Sequence, residues 1–266
     1  MNEHIQSGFI EGPRQLGDFV HGDGKLGTLP LQPSGDWSAF LPPDNIQNRN
    51  GFEPRDCVSQ ATLGCVEILA RHEYTDTDNW SRRLLATVSG TGVKGGNDPQ
   101  SVSEALRKGG CVYETDLPFA APDLPTFYQT ISNALIQLAA YTFRKYQYGH
   151  SWVNANPADM IDALTYSPLS AAGYAWQFDT QTGYAITPVG SAPGHDFVVY
   201  NCVKEQYWCV WDSYLQVHKK LAWNYTFSSV KRHTLHRVIN TDASKLAPGS
   251  VNWPVWISVV KRWLGL

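Results

Sequence analysis

The sequence is short of charge, has no even complement of cysteines and lacks any long apolar run. Each shortage removes a class of protein. Only 17% of the 266 residues are charged, and 21 basic residues stand against 24 acidic ones, for a formal net charge of −3. Phosphate backbones are bound by clustered Lys and Arg, so nucleic acid is excluded as the main partner. Disordered, collagen-like and coiled-coil chains carry either more charge or less apolar bulk than the 42% hydrophobic content found here. No apolar run approaches the roughly 20 residues that cross a bilayer. Residues 1–6 have neither the basic nor the apolar region of a secretory leader. Five cysteines, Cys57, Cys65, Cys111, Cys202 and Cys209, are an odd number in a chain long enough to hold a core without staples. A disulfide framework is therefore not expected, and a reducing setting, cytoplasm or viral particle, is.

What the sequence has in plenty is aromatic bulk, with ten Trp, thirteen Tyr and ten Phe. Residues 1–36 are rich in Gly, Pro and Asp without a sustained period and read as an N-terminal extension. Irregular structure over 37–56 leads to a helix predicted over 56–71, apolar on nearly every side and therefore buried. Further helices are predicted over 81–88, from the Asp98-Pro99 start to Gly109-Gly110, over 126–139, and from Asn156-Pro157 to about Leu164. Beyond residue 165, β-branched and aromatic runs at 169–176, 196–200, 207–211 and 217–223 predict strands. Helices followed by strands describe an α+β fold with a helical lobe, an antiparallel sheet lobe and a cleft between them. The expected organisation is an extension (1–36), one domain (37–240) and an apolar C-terminal tail (241–266). The tail segment 251–264, with three Trp, reads as a packing segment on its own domain or a partner chain; a lipid-surface anchor is the alternative.

Three residues carry the chemistry. Cys57 opens the buried helix, where free N–H groups and the positive dipole end favour thiolate over thiol. Arg55 would help and Asp56 oppose. The bland alternative, a small buried side chain, fits Cys65 better and leaves Cys57 evenly balanced. Among eight histidines, His195 follows Pro193-Gly194 and opens an apolar strand, which leaves room for a substrate to approach an imidazole acting as base and then acid. His150 is the rival base. Asp212 ends the next strand, seventeen residues on, where a carboxylate could orient the imidazole; a solvated turn is its bland reading. Cys202, Cys209, His218, His233 and His236 lack the spacing of a zinc site, and neither a metal nor a cofactor is expected.

The order Cys, His and orienting residue resembles the papain family of cysteine peptidases, over most of residues 37–225. Cys57-Val58-Ser59-Gln60-Ala61 resembles the nucleophile helix start, with Val58 where that family usually has Trp. Gly95-Gly96 resembles the paired glycines that hold an extended peptide, where small residues let the peptide come close to the backbone. Glu114-Thr115-Asp116-Leu117-Pro118-Phe119, the step from Ala163-Leu164 to Pro168-Leu169-Ser170-Ala171, Gly194-His195-Asp196-Phe197-Val198-Val199 and Trp211-Asp212-Ser213-Tyr214 follow in the family's order. Asp212 stands where the family has Asn, and Tyr214 where it has the Trp beside that residue. Gln47, ten residues before Cys57 rather than about six, is the match for the oxyanion glutamine. The cysteine that pairs in a disulfide before the nucleophile is missing, and about forty residues precede the matching region instead of a long pro-segment.

The resemblance implies peptide-bond hydrolysis by Cys57, His195 and Asp212, an oxyanion held by Gln47 and the Cys57 N–H, and peptide binding at Gly95, Gly96 and Tyr214. Two other functions stay open: a structural or assembly component of this fold, in a viral particle for example, with 1–36 or 251–266 as its contacts; or a thiol hydrolase of cell-wall peptide cross-links.

Overall fold

The computed structural model describes residues 8–22, 29–174, 176–214 and 217–238. The expected tail 241–266 and its apolar stretch therefore lie outside the described residues. Helices α1 (Cys57–Tyr74), α2 (Arg82–Ser89), α3 (Thr91–Lys94), α4 (Pro99–Gly109), α5 (Leu124–Phe127) and α6 (Asn133–Phe143) come first. Strand β1 (Tyr146–Val153) and helix α7 (Pro157–Leu164) follow. The remaining strands are β2 (Leu169–Gly173), β3 (Gln177–Phe178), β4 (Ala185–Ile186), β5 (His195–Val203), β6 (Tyr207–Trp211), β7 (His218–Ala222) and β8 (Ser229–Arg237). They form one sheet in the order β1-β8-β2-β5-β6-β7-β4-β3. Every pairing is antiparallel except that of β4 with β7, a parallel contact at Ala185 and Leu221.

α1 is the axis of the molecule. Every residue from Cys57 to Ala70 is buried, as its all-round apolar sequence requires. It packs on β5, β2 and β8 on one side and on α2 and α4 on the other. Gly64 permits the close approach to the sheet: a Cβ there would stand 2.9 Å from the Trp211 ring and 3.0 Å from Val198. A buried ion pair ties α1 to α2, with Arg82 donating to both carboxylate oxygens of Glu67 at 2.5 and 2.6 Å.

Local capping chemistry sets the other helices. Ser81 accepts from the Leu84 N–H, Asp98 from the Ser101 N–H with Pro99 behind it, and Asn156 from the Asp159 N–H with Pro157 behind it. The helix expected over 126–139 is instead two pieces, α5 and α6. Asp123 caps the first and Ser132 the second, so two local starts override one apolar stripe. β1 and β8 were not expected as strands. They pair along their whole length, from Tyr146↔Arg237 to Val153↔Val230. Lys231, Arg232 and His233 are buried on β8, so it lacks the apolar alternation that marks a strand in sequence.

Residues 8–22 lie extended against the domain. Arg14 donates to the Asn154 side chain and the Val153 carbonyl. Asp18 accepts from Trp152 Nε1 at 2.9 Å and from Gln100 at 3.1 Å.

Candidate active site

The turn entering α1 is strained at one residue. Arg55 has φ 58°, a left-handed conformation that costs a non-glycine residue energy and is found disproportionately at functional sites. Its N–H donates to Glu53 at 2.8 Å, and the Tyr128 hydroxyl donates to the Pro54 carbonyl just before it. Asp56 follows, fully buried, accepting from Gln60 at 2.9 Å. Burial pushes its carboxyl up to about 8, with the Glu53 charge adding to the effect. Asp56 therefore keeps its proton up to about pH 8, and its expected opposition to a thiolate ranks behind burial and Asp196.

Cys57 is the first residue of α1 and is completely buried. Burial, and after it the charge of Asp196, pushes its thiol well above the ordinary range. This reverses the expectation of a favoured thiolate, because the helix-end position is outweighed by the loss of water. The Asp196 backbone works the other way, to a smaller extent.

His195 opens β5, and Asp212 follows the last residue of β6; Val198 pairs with Trp211 across the two strands. Both side chains are buried. His195 Nε2 lies 2.5 Å from Asp212 Oδ1, and the other ring nitrogen, Nδ1, is buried without a hydrogen-bond partner. Asp212 is no solvated turn residue. Its Oδ1 also accepts from the Ser213 N–H at 2.7 Å, and its Oδ2 accepts from Lys219 Nζ at 2.7 Å and Trp176 Nε1 at 3.0 Å. Burial works to raise its pKa, but His195 and Lys219 outweigh it and hold the carboxyl below its ordinary value. The Trp176 ring meets the His195 ring edge-on at 5.8 Å.

Gln47 and Tyr214 sit behind this pair. The Gln47 N–H donates to the Ser213 carbonyl at 2.8 Å, and its side-chain oxygen accepts from Ser213 Oγ at 2.6 Å. Gln47 Nε2 donates to Glu53 at 2.6 Å and to the Tyr214 hydroxyl at 2.8 Å, so both of its amide hydrogens are engaged. The Tyr214 hydroxyl donates onward to Glu53 at 2.7 Å. With 2% exposure, Tyr214 packs its ring 5.0 Å from His195 instead of presenting it to solvent as a binding wall.

Gly95 and Gly96 lie across the site, with φ 69° and 148°. Next to them, the Asn97 backbone holds a strand that is the chain's own. The Asn97 N–H donates to the Gly8 carbonyl at 2.9 Å, and the Ile10 N–H to the Asn97 carbonyl at 2.8 Å. On the other side, the Gly8 and Phe9 N–H groups donate to the Gly194 carbonyl at 3.0 and 3.2 Å. Residues 8–10 thus bridge from Asn97, next to the paired glycines, to the residue before His195. A Cβ on Gly8 would stand 3.0 Å from Cys57 Sγ and 2.7 Å from the Arg55 carbonyl oxygen, and one on Gly96 would stand 2.8 Å from the Gly8 oxygen. Only glycine fits where this segment covers the sulfur.

His150, the rival base, is elsewhere. Its Nε2 lies 3.0 Å from Glu104 and its Nδ1 3.0 Å from Lys231, and burial together with Lys231 pulls its pKa down to about 4. Cys65 is buried in mid-helix, and all five cysteines are free thiols. Among the described residues, no group of three His, Cys, Asp or Glu is placed to hold a metal ion.

Sequence reasoning missed Trp176 and Lys219. A signal existed for the second: Val217, Lys219 and Leu221 alternate inward on β7 and are buried, while His218 and Lys220 point out.

No family model matches the sequence, and no curated protein matches it. Solved structures do. Xylellain, a cysteine protease from Xylella fastidiosa, is 14% identical, with 89% of this chain and 99% of that one covered at a TM-score of 0.67. Digestive procathepsin L 3 of Tenebrio molitor larval midgut is 15% identical, with 82% and 73% covered at 0.55. The bromelain protease from Ananas comosus in complex with the E64 inhibitor is 18% identical, with 76% and 98% covered at 0.52. At these identities the likeness is one of architecture, and the architecture is that of a divergent papain-like fold.

Proposed function

We propose that this chain is a cysteine peptidase in which Cys57 is the nucleophile, His195 the proton carrier and Asp212 the group that orients the imidazole. The observation that carries the reading is the buried His195–Asp212 contact at 2.5 Å, with the second ring nitrogen unpartnered and the Cys57 sulfur beside Gly8, whose N–H donates to the carbonyl just before His195. Asp212 accepts the Nε2 proton, which leaves Nδ1 as the base. Nδ1 takes the thiol proton as the sulfur attacks the carbonyl carbon of an extended peptide lying on Gly95-Gly96. The tetrahedral oxyanion is held by the Cys57 N–H and by Gln47 once one amide hydrogen turns from Tyr214 or Glu53. His195 then protonates the leaving amine, and water hydrolyses the resulting thioester with the imidazole again acting as base. The resting state is closed: residues 8–10 occupy the peptide's place, and lifting them returns water to the sulfur and removes the main cause of its raised pKa.

A second reading, a structural component that keeps the fold without turnover, draws on one observation: the Gln47 donors are both engaged while Cys57 is covered. An epoxide warhead that alkylates activated thiols separates the two. In the full-length protein with Phe9→Ala, which loosens the covering strand, labelling is expected at Cys57. It should be lost in Cys57→Ala and sharply reduced in His195→Ala. Labelling that ignores His195, or that prefers Cys65 or Cys111, overturns the peptidase reading.

A further inference from the structure

A buried carboxylate beside an imidazole poses an electrostatic problem. An opposite charge within about 4–6 Å favours the charged form of a titrating group by one to three pK units. A lone Asp212 would therefore hold His195 as the imidazolium. A proton carrier must also release its proton, to the leaving amine in the first half of the reaction, and a strong pull toward the imidazolium works against that step. The surroundings of Asp212 answer this. Its two oxygens are divided between the His195 imidazole on Oδ1 and the Lys219 ammonium on Oδ2. Lys219 is only 6% exposed, and its ammonium lies 5.1 Å from the centroid of the Trp176 ring, which donates to the same oxygen. A cation is costly to bury, and this one is buried against the far side of the one carboxylate that His195 touches.

We propose that Lys219 is a positioning residue whose charge cancels that of Asp212, so that His195 leans on an acceptor oxygen belonging to a pair with no net charge. The aspartate and lysine together present the imidazole with what an uncharged amide would present: a fixed lone pair without a field. The proposal rests on the reading of Cys57 and His195 as the reacting pair.

The pairing is built by the sheet. Lys219 lies opposite Val210 in the β6–β7 ladder, at an inward position. Among the described residues, further ionisable groups come near the pair. Glu53 reaches it only through the Tyr214 hydroxyl and Gln47. Asp196, next to His195 on β5, is fully buried, and burial pushes its carboxyl well above the ordinary range, with Lys231 of β8 acting the other way. Asp56 and Cys57 at the head of α1 are both held in their neutral forms by burial. Lys219 is the cation that touches Asp212 from the side away from the imidazole.

The test follows the titration of His195 by histidine-ring NMR in the full chain, with its signal assigned by its disappearance in His195→Gln. Lys219→Met is expected to move the His195 midpoint upward by about one pH unit or more, since the carboxylate is left uncompensated. Lys219→Arg should keep the original midpoint. The double variant Asp212→Asn/Lys219→Met, again neutral, should return it close to that of the unsubstituted protein. Should Lys219→Met fail to fold, Lys219→Gln, which keeps a donor without the charge, carries the same expectation. An unshifted midpoint in the single variants, or a double variant as displaced as they are, overturns the proposal. The readout needs no turnover. A chain that Cys57 labelling shows to be inert could still pass, and a labelled one could still fail, so the two readings are judged separately.

Discussion

The strand over Cys57 is held among the described residues by backbone bonds and one buried ring that can be weighed singly. Four backbone hydrogen bonds join Gly8, Phe9 and Ile10 to Gly194 and Asn97, and the Phe9 side chain is 3% exposed. Fully burying a Phe side chain is worth about 1.5–3 kcal/mol, and truncation in a packed site adds the cost of the cavity. Phe9→Ala should therefore weaken closure by about 2–3 kcal/mol and raise the fraction of molecules with an uncovered sulfur by roughly 30- to 150-fold, at 1.4 kcal/mol per tenfold. The assay is the rate of iodoacetamide modification of Cys57 in the full-length protein at fixed pH, read by peptide mass spectrometry, with Cys65 as the internal control. Cys65 is sealed inside α1 and reacts only on unfolding. Gly8→Leu should act in the same direction, because its Cβ alone would stand 2.7 Å from a backbone oxygen. A Cys57 rate unchanged by Phe9→Ala in a folded protein would refute the idea that this strand controls access. A rate that rises only in step with Cys65 would show the effect to be unfolding.

Three further expectations follow from the same geometry. The Asp56 carboxyl keeps its proton in the fold up to about pH 8, whereas in the unfolded chain it loses it near pH 4. Its proton-linked stability is thus complete at low pH and lost as pH rises between those values, so the melting temperature of Asp56→Asn minus that of the unsubstituted protein should grow from pH 4 to pH 8. Arg82→Met leaves Glu67 charged and buried, which should cost about 3–5 kcal/mol and lower the melting temperature by roughly 6–20 °C, whereas Glu67→Met/Arg82→Met should cost much less. His150→Gln should leave warhead labelling of Cys57 unchanged, because its partners Glu104 and Lys231 lie away from the site.

What the sequence disclosed was whatever local chemistry determines. The all-round apolarity of α1 foretold its burial, and Asp98-Pro99 and Asn156-Pro157 marked helix starts that the structure places at those residues. The order of Cys57, His195 and Asp212 along the chain suggested a candidate triad, and the structure brings the last two into contact at 2.5 Å. The failures share a cause, which is dependence on partners distant in sequence. β8 hides its strand character because Lys231, Arg232 and His233 are satisfied by His150, Gln100, His21, Tyr148 and Ser170 from elsewhere in the chain. The state of the Cys57 thiol depends on Gly8, 49 residues upstream, so a helix-end argument alone pointed the wrong way. Lys219 left only the trace of an inward position in an alternating strand, and its contact with Asp212, like that of Trp176, needed the fold.

That register has an evolutionary corollary. Asp212 follows the last residue of β6 and Lys219 is the second residue of β7, and successive residues on β7 face opposite sides of the sheet. One inserted or deleted residue between them would turn Lys219 toward solvent and bring a neighbour inward in its place, whereas a change of two would restore the facing. Length variation in this connection should therefore be tolerated in even steps, and an odd step should be accompanied by loss of the aspartate's charge.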